Sequence, residues 1–108
     1  MRVIERQMVA ATLNQKAKFR NNNTEVMTEA GLTKVLLHGN TIAEIDWAGK
    51  LMFISNCGWE TPTTKSRLNA LLGAVKPGTG LYQKKGQWYL YSDGKEPQKF
   101  EKSQILPF

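Results

Sequence analysis

The chain has 108 residues and a net charge of +6, from fifteen Lys and Arg against nine Asp and Glu. That length fits one compact domain over 1–108, able to bury about two thirds of its extended surface, and excludes a two-domain enzyme with a deep interdomain cleft. One cysteine, Cys57, excludes an internal disulfide framework, and with one histidine, His38, it excludes a His/Cys zinc cluster. Hydrophobic residues at 41% and charged residues at 22% are ordinary globular usage, which argues against wholesale disorder.

No run approaches the roughly 20 apolar residues of a membrane span. Arg2, Glu5 and Arg6 interrupt the N-terminus where a signal peptide needs an unbroken apolar stretch. A lone thiol fits a reducing cytoplasm. There a basic protein meets nucleic acid or acidic protein surfaces, or uses its charge only for solubility. The excess is uneven: residues 1–54 carry +2 and residues 55–108 carry +4.

In chain order, Ile4, Met8 and Ala11 lie on one stripe and predict a helix over 3–14, within an N-terminal helix region over 1–20. Asn21-Asn22-Asn23 breaks that pattern. From Thr24 the period becomes two, giving four strands: Thr24–Glu29, Leu32–Leu37, Thr41–Asp46 and Lys50–Ser55. Their eight-to-nine-residue spacing reads as a four-stranded antiparallel meander. A three-residue loop at 38–40 sets Leu36 opposite Ile42, Val35 opposite Ala43 and Lys34 opposite Glu44.

Thr61-Pro62 offers a cap and a first-turn proline for a second helix. Leu68, Leu71, Leu72 and Val75 supply its apolar stripe, with Ser66, Asn69 and Gly73 opposite. Lys76-Pro77-Gly78 ends it. Leu81–Lys84 and Gln87–Tyr91 form a C-terminal hairpin around Lys85-Gly86, expected to extend or face the meander. The tail, 95–108, ends in Ile105, Leu106 and Phe108, expected to dock on the core. The fold class is α+β, with the helices covering one sheet face.

Two places draw a functional reading. In the hairpin, a two-residue loop sets Tyr82 opposite Tyr89. One face then carries Tyr82, Lys84, Gln87, Tyr89 and Tyr91, with Lys85 at the tip, and the other Leu81, Gln83, Trp88 and Leu90. Rings among cations suit single-stranded nucleic acid, where bases stack and phosphates meet lysines. The same tyrosines equally serve as cross-strand pairs that stabilise a hairpin. At the second helix start, Thr63, Thr64, Lys65 and Ser66 gather around free backbone N–H groups, with Arg67 next, and suggest an anion site. Lys65 and Arg67 simply pointing into water is the plainer reading. The pairs Cys57 with His38 and Glu44 with Asp46 lack the further groups that a nucleophilic or metal site needs, so no catalytic residue, metal or cofactor is implied.

The run Leu37-His38-Gly39-Asn40-Thr41-Ile42-Ala43, and then Gly58-Trp59-Glu60-Thr61-Pro62-Thr63-Thr64-Lys65-Ser66-Arg67-Leu68-Asn69-Ala70-Leu71-Leu72, resembles a group of small tailed-bacteriophage proteins of unassigned role. Asn23-Thr24-Glu25-Val26 and Gln87-Trp88-Tyr89 fit the same resemblance, which spans roughly residues 5–91. It implies a phage accessory protein made in the bacterial host cytoplasm. The resemblance brings no activity or site residues with it; small proteins of this kind act by binding, and the two places read above put a nucleic-acid contact at Lys65, Arg67, Lys84, Lys85, Tyr82, Tyr89 and Tyr91. The alternative is a modulator of a host or anti-phage defence complex, anchored by aromatics such as Trp47 or Phe108.

Overall fold

In the computed structural model, which describes residues 2–108, helix α1 spans Val3–Leu13. It buries Glu5, Met8, Ala11 and Thr12. Ile4, expected on that stripe, is only half-buried, and Glu5 takes the inward position, where it meets Arg67.

Five strands follow: β1 (Lys18–Asn21), β2 (Thr24–Glu29), β3 (Leu32–Leu37), β4 (Asn40–Asp46) and β5 (Leu51–Ser55). With β9 (Ser103–Pro107) they form a six-stranded antiparallel sheet in the order β1-β2-β3-β4-β5-β9. The expected four-stranded meander is therefore the middle of a larger sheet. The Asn triplet does not end α1, which stops at Leu13; it closes a hairpin. Asn22-Asn23 is the β1–β2 turn, closed by the Asn21–Thr24 pair with Asn22 at φ 55°. The tail becomes an edge strand: Leu106 enters the core and Phe108 packs edge-on against Trp47, while Ile105 faces out.

Ala30-Gly31, His38-Gly39 and Lys85-Gly86 each place two successive residues at positive φ. That is the backbone of a two-residue hairpin turn whose twist matches the strands, and glycine reaches it without a Cβ clash. The β3–β4 loop is thus His38-Gly39 and not 38–40, with Leu36 opposite Thr41. A bulge then restores the expected pairs Val35–Ala43 and Lys34–Glu44. It also lets the sequence neighbours Ile42 and Ala43 both be buried.

Helix α2 spans Pro62–Val75, with Thr61 as its cap and Pro62 in the first turn. The sheet face carrying Val26, Val35, Ala43, Ile45, Met52 and Ile54 is buried beneath the helices, and α1 packs on α2. The C-terminal hairpin, β6 (Thr79–Lys84) and β7 (Gln87–Ser92), joins β8 (Gln98–Lys99) in a separate three-stranded sheet. It does not extend the large sheet.

Asn69 joins this small sheet to α2. Its side-chain amide accepts from the Leu81 N–H at 2.7 Å and donates to the Leu81 carbonyl at 3.0 Å. An amide side chain so placed imitates a neighbouring strand and satisfies the β6 edge. Asn69 is therefore half-buried in a structural contact and not free on an exposed helix face. Leu81, Trp88, Leu90 and Phe100 bury the inner face of the small sheet, with the Trp88 and Phe100 rings stacked 6.2 Å apart.

Candidate nucleic-acid interface

Alternation along β6 and β7 sends Leu81, Trp88 and Leu90 inward and Tyr82, Tyr89 and Tyr91 outward. The register is the expected one, Tyr82 opposite Tyr89 and Leu81 opposite Leu90. Tyr82 and Tyr89 stack with centroids 5.3 Å apart and planes 17° apart. Tyr82 also meets Tyr91 at 6.0 Å and 39°. Tyr82 and Tyr89 are half-buried by these contacts, and Tyr91 is 41% exposed. Tyr91 lies across Gly80: a Cβ there would sit 2.4 Å from its hydroxyl oxygen. A glycine opposite an aromatic residue thus gives the ring a flat seat.

Lys84 and Lys85 are exposed at the turn end of the same face. Strand β8 adds a cation that sequence reasoning missed. Lys99 pairs with Tyr89 and so shares its face. The polar–apolar step from Lys99 to buried Phe100 is its one local signal, because β8 is two residues long. No Asp or Glu occurs within β6, β7 or β8. The structure therefore brings Tyr82, Tyr89, Tyr91, Lys84 and Lys85 onto one surface and adds Lys99.

The helix-start residues are disposed differently. Thr61 Oγ1 accepts from the Thr64 N–H at 3.1 Å, and Thr64 is buried. Arg67 is 3% exposed and does not reach the surface. Its Nη1 donates to Glu5 Oε2 at 2.8 Å, and its Nε donates to Thr24 Oγ1 at 3.2 Å. Ser66 Oγ also donates to Glu5 Oε2.

The anion near the α2 start is thus the protein's own Glu5 carboxylate, delivered by α1. Burial pushes the Glu5 carboxyl up, but the hydrogen bonds from Ser66 and Arg67 and the Arg67 charge outweigh it and hold the group below its usual value of 4.5. Contrary to expectation, Arg67 is buried away from any phosphate, and the Thr64 N–H and the Ser66 hydroxyl are taken up by Thr61 and Glu5. Lys65 is half-buried and lines a shallow concavity with Glu5, Pro62, Ser66 and Asn69. Thr63 lines a different hollow.

That second hollow is a cleft of about 440 Å³ between the β3–β4 turn and the α2 start. Leu37 and Ile42 contribute apolar surface, and His38, Asn40, Asn56, Cys57, Trp59 and Thr63 stand among its other lining residues. No Lys, Arg, Asp or Glu lines it. Cys57 Sγ donates to the Thr41 carbonyl at 3.1 Å. His38 and Cys57 share the cleft, and among the described residues lining it no carboxylate stands by to orient them as a nucleophilic pair. Trp59, 62% exposed, is the large aromatic left open beside it. Trp47 and Phe108, the aromatics expected to anchor a partner, are partly buried against each other, and Trp47 Nε1 donates to Thr33 Oγ1 at 2.8 Å.

Among the described residues no helix is long and apolar enough to cross a membrane. Compared with known proteins, the chain matches the family model described as Kyanoviridae Gp96 protein over residues 1–107. No curated protein and no solved structure gives a significant match.

Proposed function

The chain belongs to the Kyanoviridae Gp96 protein family, a phage family, and from that premise we propose a non-enzymatic accessory protein that binds single-stranded nucleic acid in the host cytoplasm. The contact surface is the outer face of β6, β7 and β8. One observation carries this reading: three tyrosine rings share a surface with Lys84, Lys85 and Lys99, on strands without a carboxylate. Rings offer sequence-tolerant stacking, and cations release counterions from the phosphate backbone. Hairpin stabilisation alone accounts for the Tyr82–Tyr89 stack. It does not account for Lys99 beside that stack or for the exposure of Tyr91.

Fluorescence polarisation with labelled oligonucleotides tests the proposal. Single strands bind more tightly than duplexes, because paired bases cannot stack on the rings. Affinity falls steeply as salt rises. Absence of binding at about 100 µM protein in low salt contradicts the proposal, since non-specific affinities are ordinarily at least that strong.

A second reading rests on Trp59. An exposed tryptophan beside an uncharged, partly apolar cleft is what a protein-binding hot spot offers. In that reading the chain modulates a host or anti-phage defence complex. A nuclease-resistant, stoichiometric complex with a host protein, lost in Trp59→Ala, would favour it over nucleic-acid binding.

A further inference from the structure

The cleft between the β3–β4 turn and the α2 start holds an unpaired donor. Asn56 is 1% exposed and is one of the residues lining the cleft. Its Oδ1 accepts from the Gly58 N–H at 2.8 Å, which fixes the amide with Nδ2 turned away from that bond. Nδ2 is buried and has no hydrogen-bond partner. A buried donor left unpaired is costly, and folded proteins keep few of them.

The amide is also held in place. Cys57 N–H donates to Ser55 Oγ at 3.0 Å, Trp59 N–H to the Asn56 carbonyl at 2.8 Å, and Cys57 Sγ to the Thr41 carbonyl at 3.1 Å. The turn from Asn56 to Trp59 is therefore tied to itself and to β4. It presents the Asn56 amide and the Trp59 ring to the same hollow. We propose that this cleft binds an uncharged nucleoside.

The lining selects that class of ligand. Its volume of about 440 Å³ is in the ordinary range for small-molecule pockets. No Lys, Arg, Asp or Glu stands among its lining residues, so a phosphate or carboxylate would be left without a counter-charge. Leu37 and Ile42 supply apolar lining, and the Trp59 ring supplies a flat surface for stacking. A neutral base stacks on Trp59 and turns an acceptor in its own plane to Asn56 Nδ2, where bulk water gives no partner. Its sugar hydroxyls meet Thr63 and the exposed Asn40 at the edge. No residue of β6, β7 or β8 lines the cleft, so this site is separate from the tyrosine face.

Amide-correlation NMR of the full chain, titrated with uridine and with adenosine, tests the proposal. The Asn56 side-chain amide and the Trp59 indole shift saturably with a Kd below about 1 mM, while the Trp88 indole stays in place. Uridine 5′-monophosphate binds no more tightly than uridine, and raising salt leaves nucleoside affinity unchanged, unlike single-strand binding at the tyrosine face. Asn56→Asp keeps the acceptor for Gly58 N–H but removes the free donor, and weakens binding about tenfold or more. Trp59→Ala, at a side chain 62% exposed and therefore safe for the fold, weakens it to a similar degree. No saturable shift from either nucleoside up to about 5 mM would overturn the proposal. So would shifts confined to the small sheet, tighter binding of the monophosphate, or a folded Trp59→Ala protein that binds like the wild type.

Discussion

Glu5→Ala lowers folding stability by about 3–5 kcal/mol, the cost of leaving one charge of a buried pair without its partner. Arg67 remains beneath the surface with Thr24 Oγ1 as its other partner, and Ser66 loses its acceptor. For a domain of this size total stability is about 5–15 kcal/mol, so the loss is a large part of the whole. Urea denaturation at neutral pH measures it, and a loss under about 1 kcal/mol contradicts the assignment of the pair as a structural joint.

The same contact makes a pH prediction with a definite sign. The folded protein holds the Glu5 carboxyl below its usual value of 4.5, so the unfolded chain binds that proton more readily. The stabilisation is present above that usual value and is lost as pH falls through the folded value. Glu5→Gln removes this component, so its stability is flatter with pH below about 4.5 than that of the wild type.

Tyr82→Ala weakens single-strand binding about tenfold or more, in line with roughly 1–3 kcal/mol per stacked base. Tyr82 is the informative ring because it touches both Tyr89 and Tyr91, so its loss disorganises the whole surface. Tyr82→Phe keeps the ring and binds like the wild type. The two variants together separate stacking from hydroxyl chemistry, and a melting curve for each separates both from unfolding. Undiminished binding by a folded Tyr82→Ala protein contradicts a stacking role.

Local patterns carry much of the architecture. Thr61-Pro62 and the leucine stripe mark α2, and Tyr/Leu alternation sets the β6–β7 register, so the tyrosine surface is legible in the sequence itself. Edge strands are not. Lys18-Phe19-Arg20-Asn21 offers one apolar residue in four, and its strand character depends on pairing with β2. Ile105 and Leu106 reveal their opposite faces only when β9 pairs with β5, some fifty residues earlier in the chain.

Arg67 misleads for a related reason. It borders the apolar stripe of α2, and its ion-pair partner Glu5 lies 62 residues away. No local spacing links them, and a cationic residue beside threonines reads as a surface group. Lys99 is hidden because two residues of strand give no periodicity.

The +6 charge becomes a local question, and the dependence of binding on salt answers it most directly. Polarisation titrations over a series of salt concentrations give the slope of log affinity against log salt for three proteins. In Lys84→Glu/Lys85→Glu the slope falls by about two phosphate contacts and affinity drops at every salt concentration. In Lys16→Glu/Lys50→Glu, with the same change in net charge at exposed sites outside the small sheet, the slope stays near that of the wild type. Equal effects of the two double variants would contradict the account, for the basic excess would then act as diffuse charge and not through the face of β6, β7 and β8.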